Sequence, residues 1–257
     1  MKLVTVEQMK AIEKQADAQG LTYDMMMDNA GQGLAEVVQT LAVDEDDREV
    51  LGLVGPGNNG GDTVVALTHL AAADWRARAY LIKRSPDALV ERFKKAGGEV
   101  ILAEDDQDFS SLTSFAETST ILLDGVLGTG VKPPLKGEVG IILARVLEIL
   151  DEAIEPPYVI AVDCPSGVDC DSGEVPPEAI PADLTVTMAA VKQGLMKLPA
   201  YELIGDLQVV DIGLPADLPA LTGVPTAVAE ADLVASILPQ RPADAHKGTF
   251  GTALIRY

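Results

Sequence analysis

Cysteine and histidine are scarce: Cys164, Cys170, His69 and His246 are the whole complement in 257 residues. Two close cysteines and two distant histidines do not have the spacing of a tetrahedral zinc set, so two buried or half-buried thiols are expected. Basic residues are also few, 19 Lys and Arg against 40 Asp and Glu, for a formal charge of −21. That balance disfavours a nucleic-acid partner, because phosphate backbones are bound by clustered Lys and Arg that release counterions. An anionic membrane surface is disfavoured likewise. No apolar run approaches the ~20 residues of a membrane span. Lys2, Glu7, Lys10, Glu13 and Lys14 interrupt any early apolar stretch, so no secretory signal is expected and the chain reads as cytoplasmic. With 47% apolar and 23% charged residues it has the composition of a globular protein with a sizeable core.

Helical and strand periodicities alternate along the chain, the pattern of βαβ units around a mainly parallel sheet. Thr5 and Gln8 form a capping box, Val6, Met9, Ile12 and Ala16 recur on one helical face, and Gly20 can end that helix. A second helix is predicted over Met25 to Leu41, with Met25, Met26 and Met27 as core gap-fillers. Strands are predicted at Glu49 to Val54, Arg78 to Ile82, Glu99 to Ala103, Thr120 to Asp124, Tyr158 to Asp163, Leu184 to Met188 and Leu207 to Val210. Most are continuously apolar, as strands covered on both faces must be. Helices are expected between them, one opened by Ser85-Pro86 and closed by Gly97-Gly98, another carrying Val139, Ile142, Leu143, Val146, Leu147 and Leu150 on one stripe. The expected architecture is an α/β fold, a Rossmann-like three-layer α/β/α sandwich. Residues 1–215 form its domain. Residues 216–257, punctuated by Pro219, Pro225, Pro239 and Pro242, read as a linker leading to a strand-like run at Thr252 to Ile255.

Three loops at the strand ends carry the candidate chemistry. Gly55, Gly57 and Gly60 satisfy a dinucleotide-type glycine pattern between a strand and a helix, where backbone N–H groups can meet a phosphate. The same loop places Asn58, Asn59 and Asp62 where a plain pyrophosphate cradle needs only glycines; Asp62 could also simply cap the helix. The second loop runs from Asp124 through Gly125, Gly128 and Gly130 to Pro134, its glycines permitting close approach of backbone to a ligand. The third begins at Asp163 and includes Cys164 and Ser166. Asn59, Asp124 and Ser166 together offer one charge and two neutral oxygens, a set that suits a monovalent cation better than Mg²⁺ or Zn²⁺. Asp163 is left over for proton transfer. Lys192 follows another strand and either adds positive charge at this edge or is an ordinary solvated lysine. His69 reads as a helix-surface residue.

The motifs Gly55-Pro56-Gly57-Asn58-Asn59-Gly60-Gly61-Asp62, Asp124-Gly125-Val126-Leu127-Gly128-Thr129-Gly130 and Val162-Asp163-Cys164-Pro165-Ser166-Gly167-Val168-Asp169 together resemble the NAD(P)H-hydrate epimerases, the YjeF N-terminal domain family. The likeness runs from the first helix to Pro215. It implies a potassium-dependent interconversion of the R and S forms of hydrated NADH and NADPH. Carried over motif by motif, Asn59, Asp124 and Ser166 correspond to the potassium ligands. Asn58, Asn59, Gly60, Gly61, Asp62, Gly128, Thr129, Gly130, Val131, Lys132, Pro133, Pro134 and Asp163 correspond to the positions lining the hydrated dinucleotide; the proton-transfer role read for Asp163 above makes it the expected catalytic residue. The sequence departs from the family pattern at Thr63, where a further glycine is frequent, and at Cys164, where an apolar residue is. Residues Arg241 to Gly251 resemble the opening of the nucleotide-dependent hydrate dehydratase domain found behind the epimerase in bifunctional members.

Two other readings remain at this level. A non-catalytic nucleotide- or protein-binding module of the same fold would be expected to lose the potassium and proton-transfer residues. An NADP-linked oxidoreductase would use the glycine loop, with Lys83-Arg84 on the 2′-phosphate. On general grounds a homodimer is the commonest assembly.

Overall fold

All seven predicted strands form, and they lie side by side in one parallel sheet. The computed structural model describes residues 1–41, 43–239, 242–246 and 248–251. The elements run β1 (Leu3–Val4), α1 (Val6–Ala18), α2 (Tyr23–Thr40), β2 (Glu49–Val54), α3 (Asn58–Ala72), β3 (Arg76–Leu81), α4 (Ala88–Lys95), β4 (Glu99–Leu102) and α5 (Ser110–Thr118). They continue with β5 (Ile121–Gly125), α6 (Glu138–Glu152), β6 (Tyr158–Val162), β7 (Leu184–Met188), β8 (Val191–Lys192), β9 (Asp206–Val210), α7 (Pro219–Thr222) and α8 (Ala231–Ile237). The main sheet has the order β4-β3-β2-β5-β6-β7-β9. Because successive strands first step outward from β2 and then cross to its other side at β5, the order reverses between β2 and β5. Ligand crevices form at such a point.

Alternation along the strands sorts the core into two layers. Val50 and Val54 of β2, with Ile121 and Leu123 of β5, pack under α1 to α4, where Ile12, Leu34 and Leu67 are fully buried. Leu51, Leu53 and Leu122 face the opposite side and meet Leu112 of α5 and Ile142, Leu143 and Val146 of α6. Each such aliphatic side chain contributes about 1.5–3 kcal/mol on burial. The Thr5–Gln8 capping box is present, with Thr5 Oγ1 accepting from the Gln8 amide at 3.0 Å and Gln8 Oε1 accepting from the Thr5 amide at 2.8 Å.

Several expectations are corrected. The cap of α4 is Asp87, not Ser85: Oδ1 of Asp87 accepts from the amides of Leu89 and Val90 at 3.0 Å each, a charge-assisted bond that a serine hydroxyl cannot match. Of the three methionines only Met26 is buried, while Met25 is half-exposed at the helix surface. No helix links β6 to β7, because Pro165, Gly167, Gly173, Pro176, Pro177 and Pro181 interrupt that stretch. It folds instead as an irregular loop whose Cys164, Val168 and Cys170 share a small core with Leu195, Ala200 and Ile204 from the segment between β8 and β9. Both thiols are buried and free.

The short strand β1 was not expected, and it positions the site. Leu3 pairs with Val191 and Val4 with Lys192 in a separate two-stranded parallel sheet, which sets α1 over the carboxyl edge of the main sheet. Residues 216–228, grouped by the sequence with the linker, pack on this corner: Leu218 and Val224 are buried, the Leu3 amide donates to the Thr226 carbonyl at 3.1 Å, and the Ala220 amide donates to Gln15 Oε1 at 2.7 Å. Beyond them α8 is exposed throughout. The predicted strand at Thr252 to Ile255 lies outside the described residues. Among the described residues no helix is long and apolar enough to cross a membrane.

Candidate active site

The loops after β2 and β5 dock on each other because glycine leaves no side chain between them. A Cβ on Gly55 would lie 1.8 Å from the Val126 carbonyl oxygen, and one on Gly60 would lie 2.0 Å from that of Gly55. Gly55 therefore lets the two loops dock, and Gly60 lets the start of α3 close on its own loop. Gly57 and Gly130 do face open space, with nothing within 4 Å of an added Cβ. Arg84, a candidate for a 2′-phosphate, is already engaged: Nη1 donates to the carbonyls of Gly55 and Gly57 at 3.1 and 3.2 Å, and Nη2 pairs with Asp87 at 2.6 Å.

Between the docked loops and α1 lies a cleft of about 420 Å³. Asn58, Asn59, Asp62, Gly128, Thr129, Gly130, Val131 and Asp163 line it, all named from the sequence. Gly60 and Gly61 are buried behind it, Gly61 against Met27, where a Cβ would come within 2.7 Å of the thioether. Lys132, Pro133 and Pro134 line an adjoining groove of about 400 Å³ that shares Val131 with the cleft.

Asn59, Asp124 and Ser166 come together beneath the cleft, all three buried. Asp124 stands on the central strand β5, opposite Leu53 and Ala161. Its Oδ1 accepts from Ser166 Oγ at 2.5 Å and its Oδ2 from the Ser166 amide at 2.8 Å. Ser166 Oγ in turn accepts from the Leu127 amide at 2.9 Å, and Asn59 Nδ2 donates to the Leu127 carbonyl at 3.0 Å. Leu127 thus ties the three segments together. Oδ1 of Asn59 is buried with no hydrogen-bond partner among the described residues. Burial holds the Asp124 carboxyl above its ordinary range, opposed by the Ser166 and Val126 hydrogen bonds.

Asp163 sits at the end of β6 with φ of 66°, a left-handed conformation uncommon for a non-glycine residue and found at functional sites. Its Oδ1 accepts from the Met188 amide at 2.9 Å, from Thr187 Oγ1 at 3.2 Å and from Lys192 Nζ. The Lys192 ammonium is 1% exposed and also donates to Thr187 Oγ1 at 3.1 Å and to the Met188 carbonyl at 2.9 Å. The solvated-lysine reading is overturned. Nothing next to Lys192 in sequence announces this except its apolar neighbours Ala190 and Val191, which continue into β8.

The cleft also takes Met9, Lys10 and Glu13 from α1. Their one sequence signal was Glu13 standing four residues after Met9 at the margin of the buried stripe. Asp62 does not cap α3, since the cap position is Gly57. Its half-buried carboxyl is held well above the ordinary range, chiefly by burial and then by the charges of Asp163 and Glu13, against the opposing pull of Lys192. The Glu13 carboxyl is raised by burial, with Lys192 pulling it down and Asp163 pushing it up.

A doubly wound sheet with a polar cleft at its reversal point defines a Rossmann-like domain. Comparison with known proteins is more specific. The model of the family described as YjeF-related protein N-terminus matches residues 23–194. The NAD(P)H-hydrate epimerase of Clavibacter michiganensis subsp. michiganensis is 40% identical over 195 residues, which cover 74% of this chain and 82% of that protein. The bifunctional NAD(P)H-hydrate repair enzyme Nnr of Thermofilum pendens is 34% identical over 262 residues, 99% of this chain and 47% of that one. The chain thus spans about half the length of the bifunctional relative. The crystal structure of the yeast protein YNL200c shares the fold, with a TM-score of 0.71 at 21% identity, covering 91% of this chain and 98% of that chain. The chain belongs to the YjeF-related N-terminal family, that of the NAD(P)H-hydrate epimerases.

Proposed function

We propose that this chain is an isomerase that interconverts the R and S epimers of hydrated NADH and NADPH, with potassium bound by Asn59, Asp124 and Ser166. The epimerase of Clavibacter is matched over most of its own length, so the epimerase activity, and not a second activity of the longer bifunctional relatives, is the one assigned here.

The observation that carries the reading is Asp163, a carboxylate held at the wall of the cleft by a buried ammonium, an amide and a hydroxyl. A binding module has no use for so costly an arrangement, since a desolvated ion pair is weak support for stability. The epimerised carbon carries a hydroxyl beside the ring nitrogen. Cleavage of that C–O bond with nitrogen assistance, and return of water to the other face, needs only mild acid-base help. The three donors converge on Oδ1, so Oδ2 is not engaged by them and is the atom assigned to proton transfer. Val126, Leu127 and Gly128 line the same cleft as Met9, Lys10 and Glu13 of α1.

The potassium assignment is supported by the unpartnered Oδ1 of Asn59 and by a donor set of one carboxylate, one carboxamide and one hydroxyl, with the Leu127 carbonyl beside them. Such a set is too poor in charge for a divalent ion. Bound there, potassium would supply positive charge beneath the reacting ring and preorganise the loop dipoles around it.

The test is a coupled assay of the purified chain with epimer mixtures of both hydrates, in potassium and again with lithium replacing it. Epimerisation is expected in potassium and a large loss in lithium. An inactive wild-type chain would sink the activity, equal rates in the two salts would sink the potassium role, and an Asp163→Asn variant at full rate would remove Asp163 from the chemistry.

A further inference from the structure

Three carboxyl groups line the cleft, those of Glu13, Asp62 and Asp163, and they are not equivalent. Asp163 takes three donors on one oxygen, including the Lys192 ammonium. Asp62 takes none: among the described residues no hydrogen bond or ion pair reaches its carboxyl. A half-buried polar group with no protein partner needs a reason for being there. Asp62 stands at the start of the second turn of α3, the helix that follows β2, while Asp163 follows β6, and β5 separates those two strands in the sheet. Two strand spacings are about 9–10 Å, wide enough for a flat six-membered ring to stand between the loops.

Inverting a carbon that bears a hydroxyl requires proton handling on both of its faces. The hydroxyl must leave as water from one side, and water must return on the other. A carboxylate fixed on one wall serves only one side. We infer that Asp62 is a second catalytic carboxyl, serving the face of the reacting carbon opposite to the one served by Asp163; this rests on the epimerase reading above.

In one direction the C–O bond breaks with its electron pair going to oxygen, which takes the proton of the Asp62 carboxyl and departs as water, while the ring-nitrogen lone pair forms the C=N bond of an iminium. Water on the opposite face then adds to that carbon, its extra proton passes to the Asp163 carboxylate, and the iminium electrons return to nitrogen. One proton has moved from Asp62 to Asp163. The reverse epimerisation returns it, or solvent resets the pair between turnovers. The division of labour follows the surroundings of the two groups, since two carboxyls in contrasting environments take opposite roles. Burial, and then the charges of Asp163 and Glu13, raise the Asp62 carboxyl well above its ordinary range, which favours the acid form, whereas Asp163 is ion-paired with Lys192. Burial raises the Glu13 carboxyl as well, but Lys192 is its leading charge neighbour and pulls it back towards the ionised form, which makes it the poorer donor.

The test compares wild type with Asp62→Asn, Asp62→Ala, Asp62→Glu and Glu13→Ala in potassium, with melting curves confirming that each is folded. For Asp62→Asn, kcat is expected to fall about a hundredfold or more with KM within a few-fold of wild type. Asp62→Ala is expected to regain rate with added formate, a small acid that can occupy the vacated space, and Asp62→Glu to retain more rate than Asp62→Asn. An Asp62→Asn variant near the wild-type rate would overturn the inference, as would a loss confined to KM with no formate rescue of Asp62→Ala. Formate rescue of Glu13→Ala but not of Asp62→Ala would transfer the role to Glu13 and overturn it equally. An inactive wild-type chain would instead strike the epimerase reading itself.

Discussion

The Lys192 ammonium lies against Oδ1 of Asp163 in the cleft, joining residues 29 positions apart into one largely buried ion pair. Its surroundings are saturated on the lysine side, with Thr187 Oγ1 and the Met188 carbonyl as further acceptors. Removing the ammonium leaves a desolvated carboxylate with only an amide and a hydroxyl.

Lys192→Met is therefore expected to destabilise the fold by about 3 kcal/mol, the lower end of the range for breaking a buried pair, because Asp163 retains 15% exposure. Asp163→Asn combined with Lys192→Met should cost less than the sum of the single changes. Urea denaturation of the four proteins measures this, and strictly additive costs would show that the two side chains do not interact.

The glycines of the docked loops should divide sharply. Gly55→Ala puts a Cβ 1.8 Å from a backbone carbonyl oxygen that cannot rotate away, whereas Gly130→Ala meets nothing within 4 Å. The first is expected to lose several kcal/mol, and the second to stay within about 0.5 kcal/mol of wild type. Melting temperatures of the two variants decide, and similar values would contradict the docking of the β2 and β5 loops.

Potassium binding has a readout independent of catalysis. A ligand at a hundred times its dissociation constant stabilises the folded state by about 2.7 kcal/mol, so potassium should raise the melting temperature of wild type by several degrees and lithium should not. Asn59→Ala, which removes the unpartnered Oδ1, should abolish the potassium effect. A rise that survives in the variant would place the ion elsewhere.

Asp62 carries a cost in stability that depends on pH. Its carboxyl is raised in the folded state, so its favourable contribution is complete below the unfolded value of about 3.9 and is lost as pH rises towards the folded value. Asp62→Asn, which cannot ionise, should therefore be more stable than wild type at neutral pH, with the difference closing near pH 4. Denaturation midpoints across that range test it, and a variant less stable at neutral pH would reverse the sign. Gain of stability with loss of rate is the pattern expected where a strained group is kept for function.

Most of the scaffold was legible in the chain. The continuous apolar runs at Val50 to Val54 and Ile121 to Leu123 marked strands covered on both sides, and the stripe from Val139 to Leu150 marked the helix that covers one of them. The polar residues at three strand ends, Asn59, Asp124 and Ser166, were found because strand ends are where a parallel sheet opens. Less was visible at the edge beyond β6, where proline and glycine replace helical periodicity with an irregular loop. Glu13 was out of reach, and Lys192 could be named but not decided, for a different reason: their place depends on β1 pairing with β8, two-residue strands too short to carry a periodic signal.

Local sequence determined what depends on near neighbours: the strands, the helix cap at Thr5, and the loops that end the strands. Which carboxyl is paired and which is left alone was decided only by tertiary structure, because charge interactions and desolvation depend on separation in space and not along the chain. The same Asp that could have capped a helix stands unpartnered in a cleft, and the same Lys that could have been solvated lies buried against Asp163.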